Sequence, residues 1–269
     1  DISLMAQTAI KRKTRVNIAK SFGSASNSYD ISARLQRFSG KNLMPWLPNR
    51  NDLTVLDLGC GTGFFTHILA GSFHKVIGFD ISKEMLNYAK EKRSDDIFWL
   101  EGDAHKIPLQ NDSIDLVYSN LVIQWCEPLE VVIQEILRVL KPGGLFIFTT
   151  LVDGTLHELK SSWAQVDDDT HVIDFMNESK FNSLFNTSTS VMLEHNCQDV
   201  VLEYENVLHL AKELKGLGAN HVPTQKNKGL AGKEKWFKMT EAYQDFIEPN
   251  EIYPATYRVY SGQVVKLSD

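Results

Sequence analysis

The chain has 269 residues, of which 43% are hydrophobic and 23% charged, with 16 Gly and 8 Pro; these ordinary globular proportions exclude collagenous, disordered and low-complexity architectures. A net charge of −6 argues against a general nucleic-acid binder, and the length allows one elaborated domain or two small ones with a core that needs no staple. Cys60, Cys126 and Cys197 are far apart and form no C-x-x-C pair or Cys/His cluster. No zinc site or other metal is therefore expected, and the usage suits a reducing cytoplasm. No apolar run approaches the roughly 18–20 residues that span a bilayer, so no membrane partner is expected. The basic N-terminus lacks the apolar stretch of a secretory signal, and Asp1–Leu4, ahead of Met5, are expected to be foreign to the fold.

In chain order, Ala6 to Trp46 reads as helical and ends at the Pro45 and Pro48 breaks. From Thr54 to Thr150, strand-like runs alternate with helix-like segments. The strands are Thr54 to Gly59, Lys75 to Asp80, Ile97 to Gly102, Ser113 to Ser119 and Leu145 to Thr150. Ser82 is placed as a helix N-cap, and Pro142-Gly143-Gly144 should stop the helix whose stripe is Leu129, Val132, Ile133, Ile136, Leu137 and Leu140. After Thr150 the pattern loosens into a strand pair (Val191 to Asn196, Asp199 to Tyr204), an amphipathic stretch, a lysine-rich segment and a closing strand near Tyr257 to Lys266.

Strands alternating with helices predict an α/β, doubly wound, mostly parallel sheet, because parallel neighbours need crossover connections. The expected organisation is an N-terminal helical cover (1–50), a ligand-binding core (51–150) and a C-terminal part (151–269). The last completes the sheet and carries a lid insertion over about 206–252. Such sheets bind ligands outside the carboxyl ends of their strands.

The most informative string lies at such an end: Asp57-Leu58-Gly59-Cys60-Gly61-Thr62-Gly63, between a strand and a helix. Alternate glycines let the backbone turn tightly and approach a ligand beside the next helix's first amides. Asp80 ends the following strand, where an acid can accept both hydroxyls of a ribose. Gly102-Asp103-Ala104 ends the third, where Asp103 can accept from an adenine amino group. The spacing is G-x-G-x-G, not the dinucleotide G-x-G-x-x-G.

With Leu140-Lys141-Pro142-Gly143-Gly144, these motifs resemble, in the right order, those of class I S-adenosylmethionine-dependent methyltransferases. The resemblance implies a Rossmann-like methyltransferase sheet with S-adenosylmethionine as cofactor and S-adenosylhomocysteine as product. Carried over to this chain, it gives Gly59, Cys60, Gly61 and Gly63 the methionine-side pocket, with Asp57 orienting the ammonium through the loop. It gives Asp80 the ribose, Ile81 and Ala104 the adenine faces with Met85 beside them, and Asp103 the amino edge. Asn120 and Leu121 would lie below the sulfonium. Core packing explains Ile81, Ala104 and Leu121 equally well, and Cys60 reads as a small loop residue more readily than as a nucleophile.

Three further segments narrow the resemblance: residues 21–36 (SFGSASNSYDISARLQ), Ser119 to Cys126 (SNLVIQWC) and Leu214 to His221 (LKGLGANH), the last followed by Tyr253-Pro254-Ala255-Thr256-Tyr257. Together they resemble the malonyl-acyl carrier protein O-methyltransferases of biotin synthesis over nearly the whole chain. That family methylates a free malonyl carboxylate, a group already ionised at neutral pH, so no general base is expected and in-line positioning is the protein's task. In this reading Tyr29, Gln124 and Trp125 serve the transfer. Tyr29 and Trp125 also contact the substrate, with Lys215, Asn220, His221 and Arg258 as further substrate contacts.

A charge argument stands apart from the resemblance. Between Lys212 and Lys238 seven lysines face two glutamates in a chain whose net charge is −6, and Lys11, Arg12, Lys13, Arg15 and Lys20 make the head basic. Such a distribution suits steering of an acidic acyl carrier protein, though a solvated lysine-rich loop explains it equally well. Alternatives are methylation of another small acid or of a quinone, and a non-catalytic cofactor-binding partner.

Overall fold

The structure, a computed structural model, describes residues 15–17, 28–93, 95–216 and 229–268; of 15–17, 28–32 and 215–216 only the backbone is described. Eight strands are hydrogen-bonded in the order β1-β7-β8-β6-β5-β2-β3-β4. They are β1 (Arg15–Asn17), β2 (Thr54–Leu58), β3 (Lys75–Asp80), β4 (Ile97–Glu101), β5 (Ile114–Asn120), β6 (Leu140–Leu151), β7 (Ser190–Tyr204) and β8 (Tyr253–Lys266). The helices are α1 (Ser28–Asn42), α2 (Phe64–Ala70), α3 (Lys83–Lys92), α4 (Leu129–Val139), α5 (His157–Ala164), α6 (Glu178–Phe185), α7 (Val207–Gly216) and α8 (Leu230–Tyr243).

The chain divides into two compact units whose boundary cuts across α1, β7 and β8. One comprises 36–151, 176–196 and 260–269. At its centre β4, β3, β2, β5 and β6 run parallel, with Leu56 opposite Ile77 on one side and Val117 on the other. The central strands β2 and β5 are apolar because both faces are covered; Val55, Leu56 and Leu58 are all fully buried. Strand order reverses between β2 and β5, which is where such a sheet opens a crevice for a ligand.

The helices follow from local chemistry. The Ser82 hydroxyl accepts the Met85 amide at 3.2 Å, capping α3 as its sequence predicts. On α4 the buried positions are Leu129, Val132, Ile133, Ile136 and Val139. Val139 is buried in place of Leu137, and the helix ends at Val139, since Leu140 already belongs to β6. Burying each such side chain contributes on the order of 1.5–3 kcal/mol. The helix stops at Val139, just ahead of Pro142-Gly143-Gly144, and these three residues lie inside β6, with Gly143 in the left-handed region (φ 79°).

The other unit comprises 1–35, 152–175 and 197–259. Here β1 pairs parallel to β7 (Val16 opposite Val200), where the sequence reads as helix. Three residues carry no periodicity of their own, and only pairing with a distant strand makes them β. The expected strand pair at 191–204 is instead a single long strand, β7. A buried hydroxyl cluster ties β7, α7 and β8 together in this unit. Tyr204 on β7 donates its hydroxyl to Glu213 on α7, one residue before the Leu214 motif, and its oxygen lies 2.9 Å from the hydroxyl of Tyr257. Burial and the neighbouring carboxylate push both phenols well above their usual range.

Candidate active site

The carboxyl ends of β2, β3, β4 and β5 gather the residues that the motifs single out. After β2 the backbone N–H groups of Gly59 and Cys60 both donate to the Phe79 carbonyl, at 2.8 and 2.9 Å, tying the glycine loop to β3. Gly59 and Gly61 have φ of 74° and 54°. A Cβ on Gly59 would lie 2.4 Å from the Val122 side chain, whereas one on Gly61 would meet nothing within 4 Å. The loop thus presents bare backbone to open space at Gly61, where a ligand can approach without steric cost.

Asp80 organises this loop: one carboxylate oxygen accepts the Gly61 amide at 2.9 Å and the other the Ser82 amide at 2.8 Å. Each oxygen keeps a further lone pair, which suits a vicinal diol. Just beyond it Ile81 is 71% exposed and Met85 41%, two large apolar side chains with no protein partner layer over them. These features, a bare glycine backbone beside a held carboxylate and uncovered apolar residues, fit the ribose, adenine and methionine parts of S-adenosylmethionine.

Asp57 lies deeper, almost fully buried on β2, and accepts the Thr66 hydroxyl of α2 at 2.7 Å. Burial, with the nearby Asp80 charge adding to it, pushes its carboxyl up to about 7. The fold thus favours protonated Asp57. This contribution to stability is complete below the ordinary carboxyl range near 4 and is lost as pH rises through about 7. Asp57→Asn should therefore flatten the pH dependence of stability over that interval. Chemical denaturation of both forms at pH 5 and pH 8 checks this, with a wild-type loss of a few kcal/mol expected between them, at about 1.4 kcal/mol per pKa unit. The neighbouring Cys60 thiol is raised by burial, which opposes a nucleophilic role.

After β4, Asp103 accepts from the His105 amide at 2.9 Å and from the His105 ring at 2.6 Å, and these bonds hold its carboxyl below the usual range. The far end of this loop is fixed by α4. Glu135 accepts the Ile107 amide, and Arg138 donates to the carbonyls of Ile107 and Leu109, each at 2.8 Å.

At the end of β5 the Asn120 side chain is spent on scaffolding. Its oxygen accepts from the hydroxyls of Ser39 and Thr149, at 2.7 and 2.6 Å, and its amide donates to the Gln36 carbonyl at 2.8 Å, fastening α1 to β5 and β6. Leu121 follows in the left-handed region (φ 55°), a conformation that costs a leucine about 1 kcal/mol; its amide is held by the carbonyl and hydroxyl of Thr149. Gln124 donates to the Leu121 carbonyl at 2.8 Å and accepts from Thr150 at 3.2 Å, while Trp125, on the same short turn, is 40% exposed.

Tyr29 is in the first turn of α1, but its side chain is outside the described residues, as are the Lys215 side chain and the whole of Asn220 and His221. In the other unit, Arg258 forms an ion pair with Asp199 at 3.1 Å. There too Lys235 pairs with Asp167 at 2.8 Å, and Lys238 with Glu234 at 3.0 Å, so two lysines of the basic segment already have carboxylate partners. Asp167, Asp169 and His171 bring donor atoms within 4.8 Å of one another, and the cation beside them is the Lys235 ammonium. His105, Ser39, Thr66 and Thr149 escape the sequence reading; only the Asp103-Ala104-His105 string held a signal, an imidazole two residues from the acid.

A methyltransferase-domain family matches residues 56–148. The YcgJ protein of Bacillus subtilis shares the fold with a TM-score of 0.62 at 19% identity, covering 87% of this chain and 100% of that one. An S-adenosylmethionine-dependent methyltransferase from Mesorhizobium loti does so with a TM-score of 0.51 at 18% identity, covering 86% and 99%. The fold is that of class I methyltransferases, and the matched region is a methyltransferase domain. Longer-range sequence likeness is more particular. The malonyl-[acyl-carrier protein] O-methyltransferase of Pectobacterium atrosepticum is 35% identical over 251 residues, 93% of this chain and 96% of that protein. The biotin biosynthesis bifunctional protein BioHC of Cellvibrio japonicus is 38% identical over 254 residues, 94% of this chain but 50% of that protein, so the chain spans half of the bifunctional relative. The chain belongs to the malonyl-[acyl-carrier protein] O-methyltransferase family. Among the described residues no helix is long and apolar enough to cross a membrane.

Proposed function

We propose that this enzyme transfers the methyl group of S-adenosylmethionine to the free carboxylate of malonyl-acyl carrier protein, giving a methyl ester for biotin synthesis. The near end-to-end match to single-function relatives of that name carries the reading. When bound, S-adenosylmethionine supplies an electrophilic methyl carbon on its sulfonium. The protein's own part is placement. Gly59, Cys60, Gly61 and Gly63 line the methionine side, and Asp57 sets the loop through Thr66. Asp80 accepts the ribose hydroxyls, Ile81, Met85 and Ala104 enclose the adenine, and Asp103 accepts from its amino edge. Asn120 contributes through its backbone, since its side chain holds α1, and Leu121 through the turn it forces on the chain.

On the acceptor side, Trp125 and Gln124 wall the transfer pocket and exclude water, and the Tyr29 hydroxyl donates to the malonyl carboxylate. Lys215, Asn220, His221 and Arg258 are proposed substrate contacts, Arg258 once it exchanges Asp199 for substrate. No residue needs to remove a proton, because a carboxylate with a pKa near 4 is already the nucleophile at neutral pH. Alignment of oxygen, carbon and sulfur then lowers the barrier to transfer. No metal takes part in this reading, and the setting is the cytoplasm, where Cys60, Cys126 and Cys197 stay unpaired thiols.

The test supplies methyl-labelled S-adenosylmethionine with malonyl-acyl carrier protein and, in parallel, free malonate. Label is expected on the carrier as a base-labile ester. Label on malonate alone would remove the carrier from the reaction, and label on neither would point to another acceptor.

A further inference from the structure

His105 occupies an unusual place between the two sides of this site. One ring nitrogen lies 2.6 Å from the Asp103 carboxylate, and the other 2.9 Å from the backbone carbonyl of Glu127, two residues past Trp125. A carboxylate and a carbonyl both accept, so the bridge is complete only when both ring nitrogens donate. The ring thereby joins the loop that leaves β4 to the turn that carries Gln124 and Trp125. Hydrogen bonds to charged groups are worth more than neutral ones, although solvent reaches this pair, with His105 30% and Asp103 56% exposed.

We infer that His105 is a positioning residue that fixes the adenine-side acid Asp103 and the acceptor-side wall at Trp125 in one geometry. The inference rests on the functional reading above and deepens it: cofactor binding and acceptor alignment share one side chain. The segment does not depend on His105 for its fold, since Glu135 and Arg138 hold the loop from Ile107 onward.

The chemistry orders the possible replacements. Arginine presents several N–H donors and can serve both acceptors; glutamine offers one amide nitrogen and turns a carbonyl oxygen toward the second acceptor; alanine serves neither. The experiment uses the full chain and measures S-adenosylhomocysteine affinity by calorimetry without any acceptor, then kcat and KM for methyl transfer. His105→Ala is expected to weaken S-adenosylhomocysteine about tenfold and to lower kcat by a similar factor, with the melting temperature shifted by no more than ~4 °C. His105→Arg should recover most of both losses, and His105→Gln clearly less. Unchanged affinity and kcat in His105→Ala would overturn the inference, as would rescue by Gln equal to that by Arg. If the unaltered chain does not bind S-adenosylhomocysteine, the methyltransferase reading itself falls. If it binds and the variants do not differ, only the bridge is lost.

Discussion

Asp80→Asn should raise the Kd for S-adenosylmethionine by roughly two orders of magnitude while leaving the enzyme folded. The substitution keeps shape but loses acceptor symmetry. Both carboxylate oxygens accept backbone amides, from Gly61 and from Ser82. An asparagine can satisfy one of them, and its NH2 must then face the other N–H. The glycine loop loses its tether just where the ligand needs two acceptors for a diol. Losing a hydrogen bond to a charged group and leaving its partner unmatched costs about 1.5–3 kcal/mol each, and about 1.4 kcal/mol is a tenfold change in affinity. Calorimetric titration checks this. Wild-type affinity in the variant would remove Asp80 from the cofactor site.

Gly61→Ala separates ligand sterics from fold sterics. A Cβ there meets no protein atom within 4 Å, so the folded chain bears only the backbone cost of a φ of 54°, about 1–2 kcal/mol. For a protein of this size that is a fall of about 2–4 °C in Tm per kcal/mol. The methyl group instead projects into the space assigned to the methionine part of the cofactor. Cofactor binding is expected to fall at least tenfold, and methyl transfer with it. The contrast is Gly59→Ala, where the Cβ lies 2.4 Å from the Val122 side chain and stability should suffer as well. If Gly61→Ala binds cofactor normally, the open space over the loop is not the pocket.

Both expectations draw on residues that a reader of the sequence can find, and the reason is local. Gly59 and Gly61 are required by the backbone angles of a tight strand-to-helix turn, and Asp80 by the end of the strand beside it. The parallel core was legible for the same reason, since β2, β3, β4 and β5 are apolar runs separated by amphipathic segments. Pattern failed where pairing decided the outcome. Arg15–Asn17 becomes β because β7 is available to it, and 190–204 runs as one strand where the sequence reads as a pair. The resemblance places Asn120 below the sulfonium, and no pattern in the sequence signals its second engagement. Its side chain is committed to α1 through a carbonyl 84 residues away.

The sequence by itself carried the nucleotide-binding features and, through their resemblance to class I methyltransferases, the class of chemistry: a glycine turn, an acid at the ends of two strands and the order of the motifs are short-range features. It also carried, through SNLVIQWC and LKGLGANH, the resemblance that named the acceptor. The tertiary structure alone decided which polar atoms are spent on holding the fold. It set Ser39 and Thr149 on Asn120, Asp199 on Arg258, Lys235 on Asp167, and His105 between Asp103 and Glu127. Such partnerships form between residues distant in the chain, and their energy depends on the burial and geometry that only the packed elements create.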